Sequence, residues 1–170
     1  MKGNCSICES LPREGGIYLL VVELANPAAL RVAGREIRLE AVHYVYVGSA
    51  WGPGGLRARL CRHLGCRARR SLHWHIDRLL ASGGRVVGFS YSPGAPRELE
   101  CLVAAVAVAS RCCVTPNVPV GGTDDRYGFP HLLPCTFEEA CMHLLYTILP
   151  SPLHICTLKG GGVWECCGPL

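Results

Sequence analysis

The run GGIYLLVVEL, from Gly15 to Leu24, constrains this chain more than any other stretch. Two glycines introduce it, Asn26 and Pro27 stop it, and the β-branched and aromatic residues between them predict a buried strand. The following stretch, REIRLEAVHYVYVGSA, alternates through Ile37, Leu39, Val45 and Val47 and ends at Gly48, so it predicts one or two further strands of an antiparallel sheet. WGPGG reads as a loop. Leu56, Leu60 and Leu64 stand four apart and predict a short amphipathic helix over Leu56 to Leu64, ended by Gly65. A second helix is expected over His73 to Ala81 with Gly83 and Gly84 as its stop, then a strand over 85–92 and a turn at Pro93 and Pro96.

From Arg97 to Ser110 the chain is apolar on most sides and predicts a largely buried helix with Glu98 and Glu100 in its first turn. Thr115 to Pro130 is rich in Gly, Pro and Asp and reads as a loop. Thr136 to Leu149 reads as a helix, with Thr136 as N-cap and Glu139 at the capping-box spacing. The last twenty residues are turn-rich, and no internal repeat is visible. The fold class expected is α/β, a small and mainly antiparallel sheet of three or slightly more strands flanked by helices. The organisation expected is a polar N-terminal tail over 1–14, one domain over 15–133, and a C-terminal helix with a turn-rich extension over 134–170.

With 170 residues, 49% hydrophobic and 18% charged, the chain is long enough to bury a core and too apolar for a disordered one. Its first residues are polar and charged where a secretory signal would be apolar, and the longest apolar run, Cys101 to Ala109, is too short to span a bilayer. The expectation is a soluble, cytoplasmic protein with no membrane contact.

The net charge of +4 is modest, but its distribution is uneven. Between Glu40 and Asp77 no acidic residue occurs, whereas Arg57, Arg59, Arg62, Arg67, Arg69, Arg70, His43, His63, His73 and His75 all fall there. Such a segment attracts polyanions, because guanidinium forks match phosphate oxygens and displace counterions. The competing reading is an arginine-rich solvated helix.

Twelve cysteines are many, yet fewer than a secreted disulfide scaffold would carry. Cys5 and Cys8 form a CxxC, but no second CxxC follows, and the adjacent pairs Cys112–Cys113 and Cys166–Cys167 are awkward for zinc. Buried free thiols are therefore expected rather than structural zinc, with disulfides reserved for a hyperthermophilic source.

Two tripeptides stand at the ends of the first strands, Gly16-Ile17-Tyr18 and Tyr46-Val47-Gly48, and GGLRARLCRHL follows the second with Arg59 and His63 on one helical face. Together with HWHID at 73–77 and ELECLVA at 98–104, this pattern resembles the GIY-YIG nuclease family, and within it an archaeal branch of unassigned function found alone or joined to endonuclease III-type glycosylases. The resemblance covers about residues 15–133. It implies metal-dependent hydrolysis of DNA phosphodiesters, with Tyr18 as the base for the attacking water and Tyr46 holding that water or the phosphate. It also implies Arg59 and His63 at the scissile phosphate, Glu100 as ligand of one Mg²⁺ or Mn²⁺, and a DNA repair glycosylase as a partner.

The chemistry is consistent with those residue types. Phosphodiester hydrolysis adds charge to an anion, so cations and a base near the water are the main needs. A phenol with pKa of roughly 10 serves as base only if cations depress it. Arg57, Arg62, Arg67, Arg69, Arg70, His73 and His75 are the expected nucleic-acid contacts, with RNA as well as DNA open as substrate.

The interval from Tyr18 to Tyr46 exceeds that of the simplest nucleases and suggests an extra hairpin around Arg31 to Glu40, and Asn117 is the only counterpart of the asparagine that often follows the metal glutamate. Glu98 competes with Glu100, which could equally serve the helix dipole. Tyr18 and Tyr46 could be ordinary strand aromatics. His73 and Asp77 could ligate metal or support the groove by local hydrogen bonds, and Asp124 with Asp125 could bind a cation or form a turn. Beside the endonuclease stand two other classes, a nucleic-acid-binding module that cuts nothing while assisting a repair enzyme, and a thiol-rich metal-binding protein.

Overall fold

A computed structural model describes residues 5–32, 34–40, 42–67, 72, 74–116 and 130–169. The Gly15 to Leu24 run forms β1 (Gly16–Glu23), the strand around which the molecule is built. It pairs antiparallel with β4 (His43–Ser49) on one side and β5 (Arg85–Pro93) on the other. β6 (Leu132–Cys135) continues the sheet beyond β4, and β7 (His154–Leu158) and β8 (Trp164–Cys167) beyond β5. The order is β6-β4-β1-β5-β7-β8, every neighbouring pair antiparallel. The fold class is therefore the expected one, and the sheet, expected at three strands or slightly more, has six.

β1 is apolar on both faces because both are covered. Tyr18, Leu20 and Val22 enter one core with Ile7 and Leu11, Leu56 and Leu60 of α2 (Gly55–His63), and Ile76 and Leu79 of α3 (His75–Ala81). Ile17, Leu19 and Val21 enter the other with Val103, Ala104 and Ala107 of α4 (Leu99–Ala109), and Met142 and Leu145 of α5 (Glu139–Thr147). Each aliphatic side chain buried this way contributes roughly 1.5–3 kcal/mol. The extra hairpin exists: β2 (Ala28–Val32) and β3 (Arg35–Leu39) pair as a separate two-stranded sheet and add Leu30 and Leu39 to the first core. No helix among the described residues is long and apolar enough to cross a membrane.

Three expectations are corrected. Residues 5–14, read within a polar tail, carry the helical turn α1 (Ile7–Ser10), whose Ile7 packs with Leu11 into the first core. Thr136 does not cap a helix: its N–H is taken by the Cys112 carbonyl at 2.8 Å beside the β4–β6 pairing, and α5 starts three residues later with Glu138 at its N-cap. The thiols are not mostly free. Ten of twelve form disulfides, Cys5–Cys66, Cys8–Cys61, Cys112–Cys141, Cys113–Cys135 and Cys156–Cys166, which leaves Cys101 and Cys167 as thiols.

Candidate functional site

The register of β1 on β4 sets Tyr18 opposite Gly48, so that Tyr18 and Tyr46 lie on the same face, the one covered by α2 and α3. Their rings stand 6.2 Å apart, and the His63 ring stands 5.7 Å from Tyr18 and 6.1 Å from Tyr46. The Tyr18 hydroxyl and His63 Nε2 are hydrogen-bonded at 3.0 Å. Gly48 makes this packing possible. A Cβ there would lie 2.5 Å from the Tyr18 oxygen and 2.9 Å from Tyr46 Cε1, inside both van der Waals envelopes. Gly16 is required in the same way, since a Cβ there would stand 2.3 Å from the Ser92 carbonyl oxygen of the neighbouring strand. Gly48→Ala is accordingly expected to cost about 1–3 kcal/mol by overpacking. Chemical denaturation measures it, and an unchanged midpoint would show that the phenols have room to move.

His63 is 2% exposed and its Nδ1 stands 3.5 Å from Asp77 Oδ1. Asp77, fully buried on α3, also accepts from Arg62 at 2.5 Å and from the Trp74 backbone N–H at 3.2 Å. Burial alone would raise the Asp77 carboxyl, but the hydrogen bonds from His63, Arg62 and Trp74 outweigh it and hold the group well below the usual carboxylate range. Asp77 thus supports the groove by local hydrogen bonds, one of the two roles open for it from sequence.

Burial pushes the His63 imidazole down against the opposing pull of Asp77, so the ring is neutral at physiological pH. With an Nδ1–H directed at Asp77, Nε2 becomes the acceptor for the Tyr18 hydroxyl. Burial pushes the Tyr18 phenol well above its ordinary value, with Tyr46, Glu100 and Asp77 acting in the same direction. Tyr46 is raised too, by burial first and Glu100 second. Arg59 lowers both phenols, as its charge requires, but burial outweighs it. Tyr18 is therefore a protonated phenol that donates its hydrogen bond to His63, rather than a phenolate held ready by cations.

These shifts have a sign that can be checked. A histidine whose folded pKa lies below its unfolded value contributes stability that is complete above about pH 6.5 and lost as pH falls through the folded value. Asp77 contributes likewise above its ordinary 3.8 and loses that contribution below it. Thermal unfolding midpoints measured from neutral pH downward are expected to fall first below about pH 6.5 and more steeply below about pH 4. A flat profile across that range would refute the assigned environments of both groups.

Arg59 is half-buried on α2, one turn before His63, and its guanidinium lies over the Trp74 ring at 4.7 Å from the centroid. With Arg62 it lines a cleft of about 210 Å³ bounded by Ala50, Gly52, Pro53, Gly55 and Ala58. That volume holds a phosphate group and several waters at roughly 30 Å³ per water. The two phenols do not line the cleft; Tyr18 is 1% and Tyr46 7% exposed.

Glu100 stands in the first turn of α4 with its Oε1 3.0 Å from His131 Nδ1, and it acts electrostatically on both phenols. Glu98 is exposed at the N-cap, so Glu100 is the carboxylate turned toward the site.

The basic residues divide. Arg57, expected to meet nucleic acid, is turned the other way: its Nε donates to the Leu11 carbonyl at 2.6 Å and its Nη2 to the Glu9 carbonyl at 2.7 Å, fastening the N-terminal turn to α2. Arg62 reaches the cleft wall but is paired with Asp77. Arg67 is exposed beyond the end of α2, and His75 is half-buried at the first position of α3. Arg69, Arg70, His73, Asn117, Asp124 and Asp125 lie outside the described residues. His131, an isolated histidine between Pro130 and Leu132, was not singled out from sequence, and Trp74 was seen only as part of HWHID.

Among the described residues no group of three or more His, Cys, Asp or Glu is arranged to hold a metal ion. A hard divalent ion needs less, one or two carboxylates completed by water and substrate oxygens. Glu100, oriented by His131, meets that requirement.

No curated protein and no solved structure matches the chain. The family model described as "Domain of unknown function DUF123" matches residues 17–151, a span that takes in β1 and the first tripeptide apart from Gly16, the second tripeptide, the Asp77–His63–Tyr18 series and Glu100, and the chain belongs to that family.

Proposed function

We propose that the chain is a metal-dependent endonuclease of the GIY-YIG kind, hydrolysing phosphodiester bonds in DNA. The observation that carries this reading is the series Asp77–His63–Tyr18, beside Tyr46 and behind a cleft whose wall carries Arg59 and Arg62. A phosphodiester oxygen in the cleft meets the Arg59 guanidinium, which is held flat by Trp74 and neutralises the charge that grows as water attacks phosphorus. Once the cleft, which Tyr18 does not line at rest, opens onto the Tyr18 oxygen, the water's proton passes to that oxygen as the Tyr18 proton passes to His63 Nε2. Asp77 fixes the tautomer and stabilises the imidazolium. Glu100 would hold the divalent ion, whose chemistry is to lower the charge on the scissile phosphate.

The burial of both phenols favours a second reading, in which the cleft binds nucleic acid without cutting it and assists a repair enzyme such as a DNA glycosylase. The experiment that separates them incubates the full chain with end-labelled single-stranded, nicked and branched DNA and an RNA counterpart, with Mg²⁺, Mn²⁺ or chelator. Metal-dependent cleavage of a DNA substrate is expected. Retained binding with no cleavage under any metal would replace the first reading with the second.

A further inference from the structure

The CxxC that stands alone in the sequence is not alone in space. Cys5 and Cys8 flank the tight turn at the start of α1, closed by Cys8 N–H to the Cys5 carbonyl at 3.1 Å. Cys61 and Cys66 flank the C-terminal turn of α2, closed by Cys66 N–H to the Cys61 carbonyl at 2.9 Å. The disulfides run crosswise between the turns, Cys5 to Cys66 and Cys8 to Cys61, with Cα separations of 5.4 and 5.7 Å. Two turns thus supply two cysteines each, and the crosswise disulfides bring the turns face to face.

We propose that these four cysteines, which as disulfides are not arranged to hold a metal ion, form a structural Zn²⁺ site once reduced to thiolates, and that the disulfides are the oxidised form of the same ligand set. The spacing rule that excludes zinc from sequence asks for a second CxxC. The fold supplies a C-x4-C at a helix end instead, which offers two thiolates on one turn just as well. A disulfide function alone explains the arrangement poorly. Once Cys8–Cys61 joins the segments, Cys5–Cys66 closes only a small additional ring, and the entropy removed from the unfolded chain shrinks with ring size. A tetrahedral metal needs all four.

The frame does not depend on the S–S bonds. Arg57 holds the Leu11 and Glu9 carbonyls, and the N–H groups of Leu56 and Arg57 donate to the Glu14 and Pro12 carbonyls at 2.9 and 2.8 Å. Ile7 and Leu11 are buried in the core alongside. Cys5 is exposed and Cys8 and Cys66 half-buried, which leaves an entry path, while Cys61 is buried at the core side. The second cysteine group lacks this form, since adjacent Cys112 and Cys113 diverge to Cys141 on α5 and Cys135 on β6. Because Cys61 and Cys66 bracket His63 and follow Arg59, metal at the tetrad would steady the helix end that carries the cleft residues.

The conversion balances. Each disulfide takes two electrons from a phosphine reductant and two protons from one water, whose oxygen ends in the phosphine oxide. Zn²⁺ then replaces the thiol protons, and Zn–S bonds of about 2.3 Å form.

The test uses the full chain reduced with a phosphine under anaerobic conditions, supplied with Zn²⁺ or Co²⁺ and desalted. About one zinc per chain by atomic emission is expected, together with a Co²⁺ spectrum of tetrahedral form with a strong thiolate charge-transfer band. In Cys5→Ser, an exposed position whose change leaves the core intact, zinc retention should fall at least tenfold, and the Co²⁺ spectrum should show the loss of one sulfur. Cys112→Ser with Cys141→Ser should leave both signals unchanged. A reduced, folded chain that retains no zinc would overturn the proposal, and so would metal lost from the Cys112 and Cys141 variant but kept in Cys5→Ser.

Discussion

Arg59→Ala is expected to lower the rate of phosphodiester cleavage by about 10²- to 10³-fold while leaving the thermal midpoint close to that of the parent chain. The guanidinium lines the cleft, and among the described residues no carboxylate stands within ion-pair distance of it. Its charge is thus available to an anion, unlike that of Arg62, which Asp77 partly neutralises. Removing it takes away a cleft-lining donor, on the proposed reading the one that meets the developing charge, and a cation–π contact of about 0.5–2 kcal/mol with Trp74. Arg59→Lys should fall between parent and alanine variant, because an ammonium keeps the charge but loses the planar stack and the two-pronged grip on phosphate. Single-turnover cleavage kinetics measure both, and parent-like rates in Arg59→Ala would remove the arginine from the mechanism.

Asp77→Ala is expected to produce the largest loss of stability, about 3–5 kcal/mol, and to abolish activity with it. The carboxylate is buried and receives Arg62, His63 and the Trp74 N–H together. Its removal strands a partly buried guanidinium and releases the imidazole from its orientation. Asp77→Asn separates the two consequences. It keeps the volume and most of the hydrogen bonding, so it should fold with a smaller penalty. It should nonetheless cut slowly, with the acid limb of its pH–rate profile displaced to lower pH, since the carboxylate that raised the imidazole is gone. Denaturant titration and the acid limb of that profile are the measurements, and an Asp77→Ala chain of parental stability would contradict the buried network.

The parts of the fold readable from sequence are those where apolar spacing is strong. β1, α2, β5 and α4 fall within about two residues of expectation because Leu56 and Leu60, or Ile17 through Val22, leave few alternatives. β7 and β8 escaped because they are short strands at one side of the sheet: in HICTL only Cys156 is buried, and the contacts that hold the pair, Tyr91 on His154 and Phe89 on Trp164, join residues far apart in the chain. The site divides along the same line. Tyr18, Tyr46 and Gly48 were marked by their tripeptides and His63 by its helical spacing from Arg59. The pairing of His131 with Glu100 is tertiary and leaves no spacing to read. Arg57 was misplaced because composition cannot tell an arginine facing solvent from one that closes a turn. The cysteine pairing is combinatorial and waits on coordinates.

The doubly covered β1 has a consequence for how the sheet finds its alignment. In a strand with one wet face, sliding by one residue exposes the oily side chains, so burial itself forbids the slip. Here Ile17, Leu19 and Val21 could trade places with Leu20 and Val22 at little loss of buried area. What a slip would forfeit is the phenol of Tyr18 fitting over Gly48 and meeting His63. The tripeptides thus act as the alignment key of the central strand, and the buried contact of Tyr18 with His63 is the one that tells β1 where to stop.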